Sequence, residues 1–161
     1  MRTTPLLFLS FALLAACTKK DDIVEAITGE RPACGSDGAR VEARINDATW
    51  CADATVQALT NEGTVLVTAI GLNTSTLVFS IDEVAVDTFN IQGSANSVLY
   101  MDQGITYNVA EGTVGRLVVS SFDPASRRIK GSIDVHLTRE SLSGTRRVQA
   151  EFDVRASGSP G

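Results

Sequence analysis

The residue types that carry most enzyme chemistry are sparse in this sequence. His136 is the only histidine, and it stands beside Asp134 and Thr138 at polar positions of an alternating run. No Gly-x-Ser-x-Gly turn is present that would offer a nucleophilic serine. Successive side chains of a strand point to opposite faces. We therefore expect His136 to be an exposed strand residue without a catalytic role.

Carboxylates are the other candidates for catalysis or metal binding. Asp82, Glu83 and Asp87 fall within one predicted connection between strands. Paired acids serve glycoside hydrolysis, and several carboxylate oxygens together suit Ca²⁺. The spacing matches no calcium loop, however, and the glycines form no phosphate-binding loop. Acidic connections are usually only hydrated, so we predict no metal site and no cofactor.

Two cysteines, Cys34 and Cys51, are predicted to form a disulfide. Zinc would need further Cys or His ligands nearby, and the only histidine is distant in sequence. If Asn46-Asp47 turns the first hairpin, Cys51 lies near Glu42 on the partner strand. The small residues at positions 35–38 then let the preceding segment fold back toward that point.

The first 16 residues have the layout of a secretory signal. Arg2 precedes an apolar run from Pro5 to Leu14, which is too short to span a bilayer as a helix. The sequence Leu14-Ala15-Ala16-Cys17 resembles the lipobox of bacterial lipoproteins, in which the cysteine is acylated and becomes the first mature residue. The resemblance implies that residues 1–16 are removed and that the lipid on Cys17 holds the protein at a membrane.

The residues that follow bear on location. Lys20-Asp21-Asp22 is similar to the Lys-acidic-acidic export signal of Bacteroidota surface lipoproteins. Thr18 stands where an inner-membrane retention signal has Asp. The resemblance implies a lipid-anchored outer-membrane protein, either displayed at the cell surface or facing the periplasm.

The charge of the chain argues against one class of partner. The full chain has 14 basic and 19 acidic residues, and removal of Arg2 with the signal leaves 13 − 19 = −6. This acidic balance speaks against a nucleic-acid binder. The mature length, 161 − 16 = 145 residues, fits one domain with a real core. The basic residues concentrate after residue 111, which we attribute to cross-strand pairing.

The pattern of residues predicts an all-β fold. We expect a lipidated tether over residues 17–39, an antiparallel β domain over 40–156 and a loose tail over 157–161. Runs with a period of two recur with turn signals between them, which is typical of a β-sandwich or flattened barrel. The sequence predicts about 8–10 strands. Thr64–Leu72 is apolar on both faces and is therefore expected to be a central strand.

The strands after residue 115 allow the register to be predicted, because apolar rows must share one face. We place Val135 opposite Val148 and Leu117 opposite Ile133. The outward pairs that follow from this register are Lys130 with Asp153, His136 with Arg147, and Arg116 with Asp134.

Three stretches resemble a family of uncharacterised Bacteroidota lipoproteins with an all-β domain. Val41–Trp50 is similar to the family's "xIxGxxW" opening, and Ile81–Ile91 to its strand and "GTYxL" segment. Gly112–Val135 is similar to its "V-x-I-x-x-x-D … I-x-G-x-F" hairpin, with Ile133 in place of the usual aromatic. The resemblance covers roughly residues 40–155 and implies fold and location, since the family has no assigned activity.

These observations predict a non-enzymatic, lipid-anchored binding or envelope accessory protein whose protein or carbohydrate partner is unknown. One alternative is a calycin-like carrier with an apolar cavity lined by residues such as Val65, Phe79 and Ile133. A second alternative is a carboxylate-dependent hydrolase. The aromatic residues Trp50, Tyr100 and Tyr107 are expected in the core, although they would also suit a sugar-binding face.

Overall fold

Strands account for all the regular secondary structure that is described in this chain. The structure, a computed structural model, describes residues 34–36, 38–92, 96–110, 112–139 and 144–158. The predicted signal, Cys17 and Lys20-Asp21-Asp22 lie outside these residues. The described part contains no helix of the length and hydrophobicity needed to cross a membrane.

The described residues form twelve strands. They are β1 (Gly35–Ser36), β2 (Ala39–Ile45), β3 (Ala48–Cys51), β4 (Thr55–Asn61), β5 (Thr64–Ile70), β6 (Thr76–Ile81), β7 (Thr88–Ile91), β8 (Val98–Asp102), β9 (Ile105–Val109), β10 (Gly115–Asp123), β11 (Arg128–Arg139) and β12 (Thr145–Arg155). The predicted all-β class is confirmed. The sequence prediction omitted β1 and β4, which explains why it arrived at no more than ten strands.

One curled, half-barrel sheet contains these strands, and its ladders are antiparallel. Its main order is β1-β2-β12-β11-β9-β8-β6-β5-β4, with β3 on β2, and with β10 and then β7 branching from β11. The branch is possible because β11 is long. Its first seven residues pair with β10, and its last three pair with β9. Each end of β11 therefore belongs to a different wing of the sheet.

The core lies on the concave side of the sheet. The predicted register is confirmed: Val135 pairs with Val148, and Leu117 with Ile133. The inward row of β12 is buried throughout, with relative exposures between 0% and 4%. β5 is a central strand, as predicted, since it pairs with both β4 and β6.

The convex side of the sheet is divided into two surfaces of different composition. The first, the charged face, lies on β2, β10, β11 and β12. Its outward positions include some uncharged residues, among them Val118, Ser120, Ser121, Ser132, Thr138 and Gln149. Its ionisable outward side chains are Arg40, Glu42, Arg44, Arg116, Asp123, Arg128, Lys130, Asp134, His136, Arg147, Glu151, Asp153 and Arg155.

The second surface, the uncharged face, lies on β4, β5, β6, β8 and β9. Its outward positions hold no acidic or basic residue: Thr55, Gln57, Leu59, Asn61, Thr64, Leu66, Thr68, Ile70, Thr76, Val78, Ser80, Leu99, Met101, Thr106 and Asn108. The outward charges of the sheet are therefore concentrated on one of its two surfaces.

The chain continues to contact the sheet beyond the predicted domain end, through Ser157 and Gly158. The Ser157 amide donates to the Ala58 carbonyl at 2.8 Å, and the Thr60 amide donates to the Ser157 carbonyl at 2.8 Å. These bonds form a parallel bridge between Ser157 and Leu59. Ser157 is therefore held against the edge of β4 and is not part of a loose tail. Residues 159–161 lie outside the described residues.

Candidate functional site

An open cleft of about 280 Å³ lies in the charged face. Strands β2, β12, β11 and β10 pass beneath it side by side. Its lining residues are Arg40, Glu42, Ser120, Lys130, Gly131, Glu151, Phe152 and Asp153. Most of these side chains stand at outward positions, so the cleft is a polar depression in the sheet surface with an aromatic residue at its base.

A bulge beside a glycine shapes the cleft. Gly131 has no side chain, and the register of β10 against β11 shifts between Val119 and Ser121. An extra residue in one strand bends that strand locally. The Ser120 hydroxyl lies within this bulge and donates to the Lys130 carbonyl at 3.2 Å. The bent strand opens the sheet surface here, while the Phe152 ring occupies the space on the inward side of Gly131.

The two cations of the cleft are both paired with carboxylates. Arg40 lies 2.6 Å from Glu42, and the Lys130 Nζ lies 3.1 Å from Asp153. Asp153 also accepts two hydrogen bonds from the Arg128 guanidinium, at 2.6 and 2.8 Å. The Arg128 guanidinium, with Lys130, holds the pKa of Asp153 below its usual value, against the opposing effect of partial burial.

A different acidic residue of the cleft is left without such a partner. Glu151 is exposed, and it has no ion pair or hydrogen bond to its side chain within the described part of the chain. Its direct cross-strand neighbour is Glu42. Like charges at opposed positions of an antiparallel pair destabilise the sheet. The cleft therefore holds one uncompensated carboxylate, beside a second carboxylate that Arg40 neutralises.

The rest of the charged face is organised by ordinary surface pairs. His136 is exposed opposite Arg147, as predicted. Arg116 pairs with Asp134 in register, but the Asp134 carboxylate instead accepts hydrogen bonds from Arg147, at 3.1 and 2.8 Å. The Arg147 guanidinium lowers the pKa of Asp134. The diagonal partner reaches the carboxylate in a bidentate geometry, which favours it over the residue directly opposite.

A second polar cluster is inside the core. The Trp50 indole N–H donates to the Ser75 hydroxyl at 2.5 Å, and the Ser75 hydroxyl donates to the Asn73 side-chain oxygen at 2.5 Å. Burial raises the pKa of Tyr100, and a hydrogen bond with Ser75 opposes this rise. Tyr107 lies beside Tyr100, with ring centroids 6.2 Å apart.

These aromatic residues form part of the core and not a sugar-binding platform. Trp50, Tyr100 and Tyr107 are only 4–6% exposed. The Arg146 guanidinium covers the Tyr107 ring at 4.8 Å from its centroid. Ser75 is fully buried, and its hydroxyl is satisfied by bonds within the cluster. The cluster therefore fixes the β5–β6 turn against the core.

The positions proposed to line a carrier cavity also belong to the packed interior. Val65, Phe79 and Ile133 are 0–3% exposed and are members of one continuous core cluster. Phe79 packs against Phe152 with ring centroids 4.9 Å apart. The geometry at these residues gives the carrier alternative no support.

The acidic connection that was considered as a carboxylate or calcium site does not converge on one point. Asp82 accepts a hydrogen bond from the Thr64 hydroxyl at 2.8 Å, and Asp87 accepts one from the Thr88 amide at 2.6 Å. Glu83 is exposed. Across the described ranges, no group of three or more His, Cys, Asp or Glu residues is arranged to hold a metal ion.

Cys34 and Cys51 form a disulfide, the pairing expected from the cysteine count. Their Cα atoms are 4.9 Å apart, within the usual range. The geometry also follows the expected hairpin, since Cys51 pairs with Glu42. The Cys34 carbonyl accepts from the Val41 amide at 2.8 Å, so both cysteines lie beside β2.

Sequence reasoning missed the cleft as a site. Its charged residues were interpreted only as members of cross-strand pairs. One signal was available: Gly131 interrupts an apolar inward row at the point where the neighbouring strand has Phe152. Such a pair indicates an irregular place in the sheet, but the sequence does not reveal the bulge in β10 that shapes the cleft.

A family model described as a domain of unknown function, DUF6252, matches residues 37–157. The chain belongs to this family. The matched region begins just before β2 and ends at Ser157, so the DUF6252 domain contains the whole cleft and Cys51 but not Cys34. Comparison with curated proteins and with solved structures gave no match. Family membership therefore supports the fold and its limits and assigns no activity.

Proposed function

We propose that this chain is an exported, lipid-anchored β-domain protein that binds a polar ligand in the cleft of its charged face and does not act as an enzyme. The observation that carries the proposal is the pair of opposed carboxylates in the cleft, Glu42 and Glu151. Glu151 remains uncompensated among the described residues, and a ligand can relieve the repulsion that this arrangement maintains.

The chemistry of the cleft favours a ligand with an amine or guanidinium group. Both cations of the cleft are already engaged, Arg40 by Glu42 and Lys130 by Asp153. The charged group that is left unpaired in the cleft is therefore an anion, the Glu151 carboxylate. A single exposed ion pair contributes only about 0.2–1 kcal/mol. Useful affinity requires further contacts with the Ser120 hydroxyl and with the base of the cleft, so the ligand is larger than one cationic group.

The anchor and the location form the second part of the proposal. Lipidation of Cys17 would hold the domain at the outer membrane through the segment that precedes Cys34, and Lys20-Asp21-Asp22 would direct it to the cell surface. The Cys34–Cys51 disulfide supports export, because disulfides persist mainly in oxidising compartments.

Binding is favoured over hydrolysis by the surroundings of the two carboxylates. A retaining glycosidase also uses two carboxyl groups about 5 Å apart. However, Arg40 holds Glu42 at 2.6 Å, and the cleft lies open on the sheet surface. Catalytic acids of this kind work in sites that exclude water and keep one carboxyl protonated. The open, ion-paired arrangement supports recognition instead.

NMR titration tests the binding proposal directly. The probes are a tri-lysine peptide and a glucosamine trimer, which are cationic, together with the neutral N-acetylglucosamine trimer. We expect the cationic probes to shift the amide signals of Gly131 and Glu151, and the neutral trimer to leave them unchanged. Glu151→Gln should abolish the shifts. Glu62→Gln removes the same charge from a turn outside the cleft and should preserve them. Equal shifts with Glu151→Gln would refute the proposed site.

The anchor is tested by detergent partitioning of the wild-type chain and of Cys17→Ser. We expect the wild type in the detergent phase and the variant in the aqueous phase, and identical partitioning would refute lipidation. Replacement of Lys20, Asp21 and Asp22 by Ala should lower protease accessibility on intact cells without changing total protein. Unchanged accessibility would reject the export signal.

A further inference from the structure

The uncharged face exposes a stripe of apolar side chains interspersed with serine and threonine. Leu59 and Leu66 pair directly across β4 and β5 and are 52% and 44% exposed. Next to them, Val78 pairs with Leu99 across β6 and β8, and both are half-buried. Ile70 and Met101, on either side of Thr76, continue the stripe at one end of the strands.

The strand at the centre of this face has the composition of one that is covered on both sides. β5 buries Val65, Val67 and Ala69 in the core, at 0–3% exposure. Its other side carries Leu66 and Ile70 toward the outside. Near-continuous apolar runs are typical of strands that are buried on both faces. Among the described residues only one of these faces is packed against the core, whereas Leu66 on the other face is 44% exposed.

Charge indicates what can cover this face. The chain has a formal net charge of −5, so two copies repel each other in most orientations. The outward positions of β4, β5, β6, β8 and β9 carry no charge. Contact through this surface brings no charges together, whereas contact through the charged face would desolvate many acidic and basic side chains on both copies. The uncharged face is therefore complementary to itself.

The size of the face is just sufficient for a specific contact. The five strands are five to seven residues long. With about 4.8 Å between strands and about 3.4 Å per residue, they cover roughly 500 Å² per copy. Two copies would bury about 1,000 Å² in total, which is the lower limit for a specific interface. The expected association is therefore weak.

A lipid surface is a poorer match for the same face. Proteins that insert into the membrane interface use Trp and Tyr, often with Lys or Arg, around the apolar contact. The only Trp and both Tyr residues of this chain are buried in the core. Asp82, which accepts a hydrogen bond from the Thr64 hydroxyl at one end of β5, would face lipid headgroups with the wrong sign on anionic membranes.

We propose that two copies of this chain associate by stacking their uncharged faces, with Leu59, Leu66, Ile70, Val78, Leu99 and Met101 at the centre of the contact. Sheets that stack in this way lie about 10 Å apart with their side chains interleaved. The contact uses strands other than those of the cleft, so the cleft stays accessible in the dimer. The proposal does not depend on what the cleft binds.

Sedimentation equilibrium on the full exported chain, with Cys17→Ser throughout to remove the lipid site, tests this proposal. We expect a reversible dimer with a Kd of about 10 µM to 1 mM, as befits a small interface, and no weakening in 1 M NaCl because no ion pair contributes. Leu66→Lys should weaken the dimer at least tenfold. Leu59→Lys provides a second test at a separate position.

The matched control is Leu72→Lys, which adds the same charge at an exposed leucine in the β5–β6 turn, outside the face. It should leave dimerisation unchanged. A protein that stays monomeric at 1 mM, or a dimer that Leu66→Lys and Leu72→Lys affect equally, would overturn the proposal. A monomer that binds phosphatidylcholine vesicles and loses this binding with Leu66→Lys would also overturn it, in favour of a lipid surface.

Discussion

Gly131 lies directly opposite Phe152 in the β11–β12 ladder, and the Phe152 ring fills the space that a side chain at position 131 would need. A Cβ built on Gly131 would lie 2.5 Å from the Cζ of Phe152 and would collide with the Val118 carbonyl. Phe152 also packs against Phe79 in the core. One glycine therefore permits the aromatic packing below the sheet, directly beneath the cleft.

We predict that Gly131→Ala destabilises the domain by about 1–3 kcal/mol, the usual cost of overpacking a core. The collision involves a backbone carbonyl as well as a ring, so a simple side-chain rotation cannot relieve it. Urea unfolding followed by tryptophan fluorescence measures the change. Gly144→Ala is the control, because its Cβ would be 4.0 Å from the nearest side chain. An unchanged midpoint for Gly131→Ala would contradict this account.

The buried hydroxyl of Ser75 gives a second prediction. Ser75→Ala leaves the Trp50 indole N–H without its acceptor and removes the hydrogen bond to Tyr100. An unsatisfied buried donor costs about 1–3 kcal/mol. We expect a loss of stability of that size, with a red shift of tryptophan emission if water enters the site. Ser132→Ala, at an exposed position of β11, should change stability by less than about 0.5 kcal/mol.

The register of the C-terminal strands was predictable, whereas the branching of the sheet was not. Alternation over Ile129–Leu137 and Val148–Val154 fixes which residues share a face, and the short loop then fixes their partners. Nothing in that alternation reveals that β11 pairs with β10 at one end and with β9 at the other. The inward residues of β11 follow the same alternation beside both strands. This choice depends on how the whole sheet curls.

β4 was missed for a local reason. Its inward residues, Val56 and Ala58, alternate with Gln57 and with the exposed Leu59. An apolar residue at an outward position obscures the period of two from which strands are recognised.

The cleft was missed for a different reason, since an outward charged residue looks the same in sequence whether it lines a depression or a flat surface. Only the bulge near Ser120 distinguishes the two.

The charged face predicts a dependence of stability on pH. The hydrogen bond from Arg128 lowers the pKa of Asp153, and that from Arg147 lowers the pKa of Asp134. A carboxyl group with a lowered folded-state pKa stabilises the fold above its unfolded pKa, about 3.9. This contribution is lost as the pH falls through the folded value. Stability should therefore decline as the pH falls below about 5.

Asp153→Asn tests this linkage. At pH 7 we expect a loss of up to about 1 kcal/mol, limited because Arg128 and Lys130 are 44% and 48% exposed. The difference should shrink as the pH is lowered and the wild-type carboxyl becomes protonated, so that variant and wild type approach the same urea midpoint in acid. His136→Ala, an exposed residue on the same face, should change stability by no more than about 0.5 kcal/mol at pH 7. A difference for Asp153→Asn that does not vary with pH would show that lost packing, and not charge, is responsible.

The disulfide closes a loop in which the sequence separation is 17, and it joins two segments that both lie along β2. The Cys34 carbonyl accepts from the Val41 amide, and the Val41 carbonyl accepts from the Ala52 amide at 3.1 Å. These backbone bonds already hold the cysteines in place, so the cross-link acts chiefly by restricting the unfolded chain. A loop of this length corresponds to about 3 kcal/mol in the chain-entropy treatment.

We expect the double variant Cys34→Ser/Cys51→Ser to lose about that amount of stability in urea unfolding. Dithiothreitol should lower the stability of the wild type similarly without affecting the variant. Cys17→Ser alone should match the wild type. Two free thiols at positions 34 and 51 of the exported protein, found by mass spectrometry, would contradict this role for the bond.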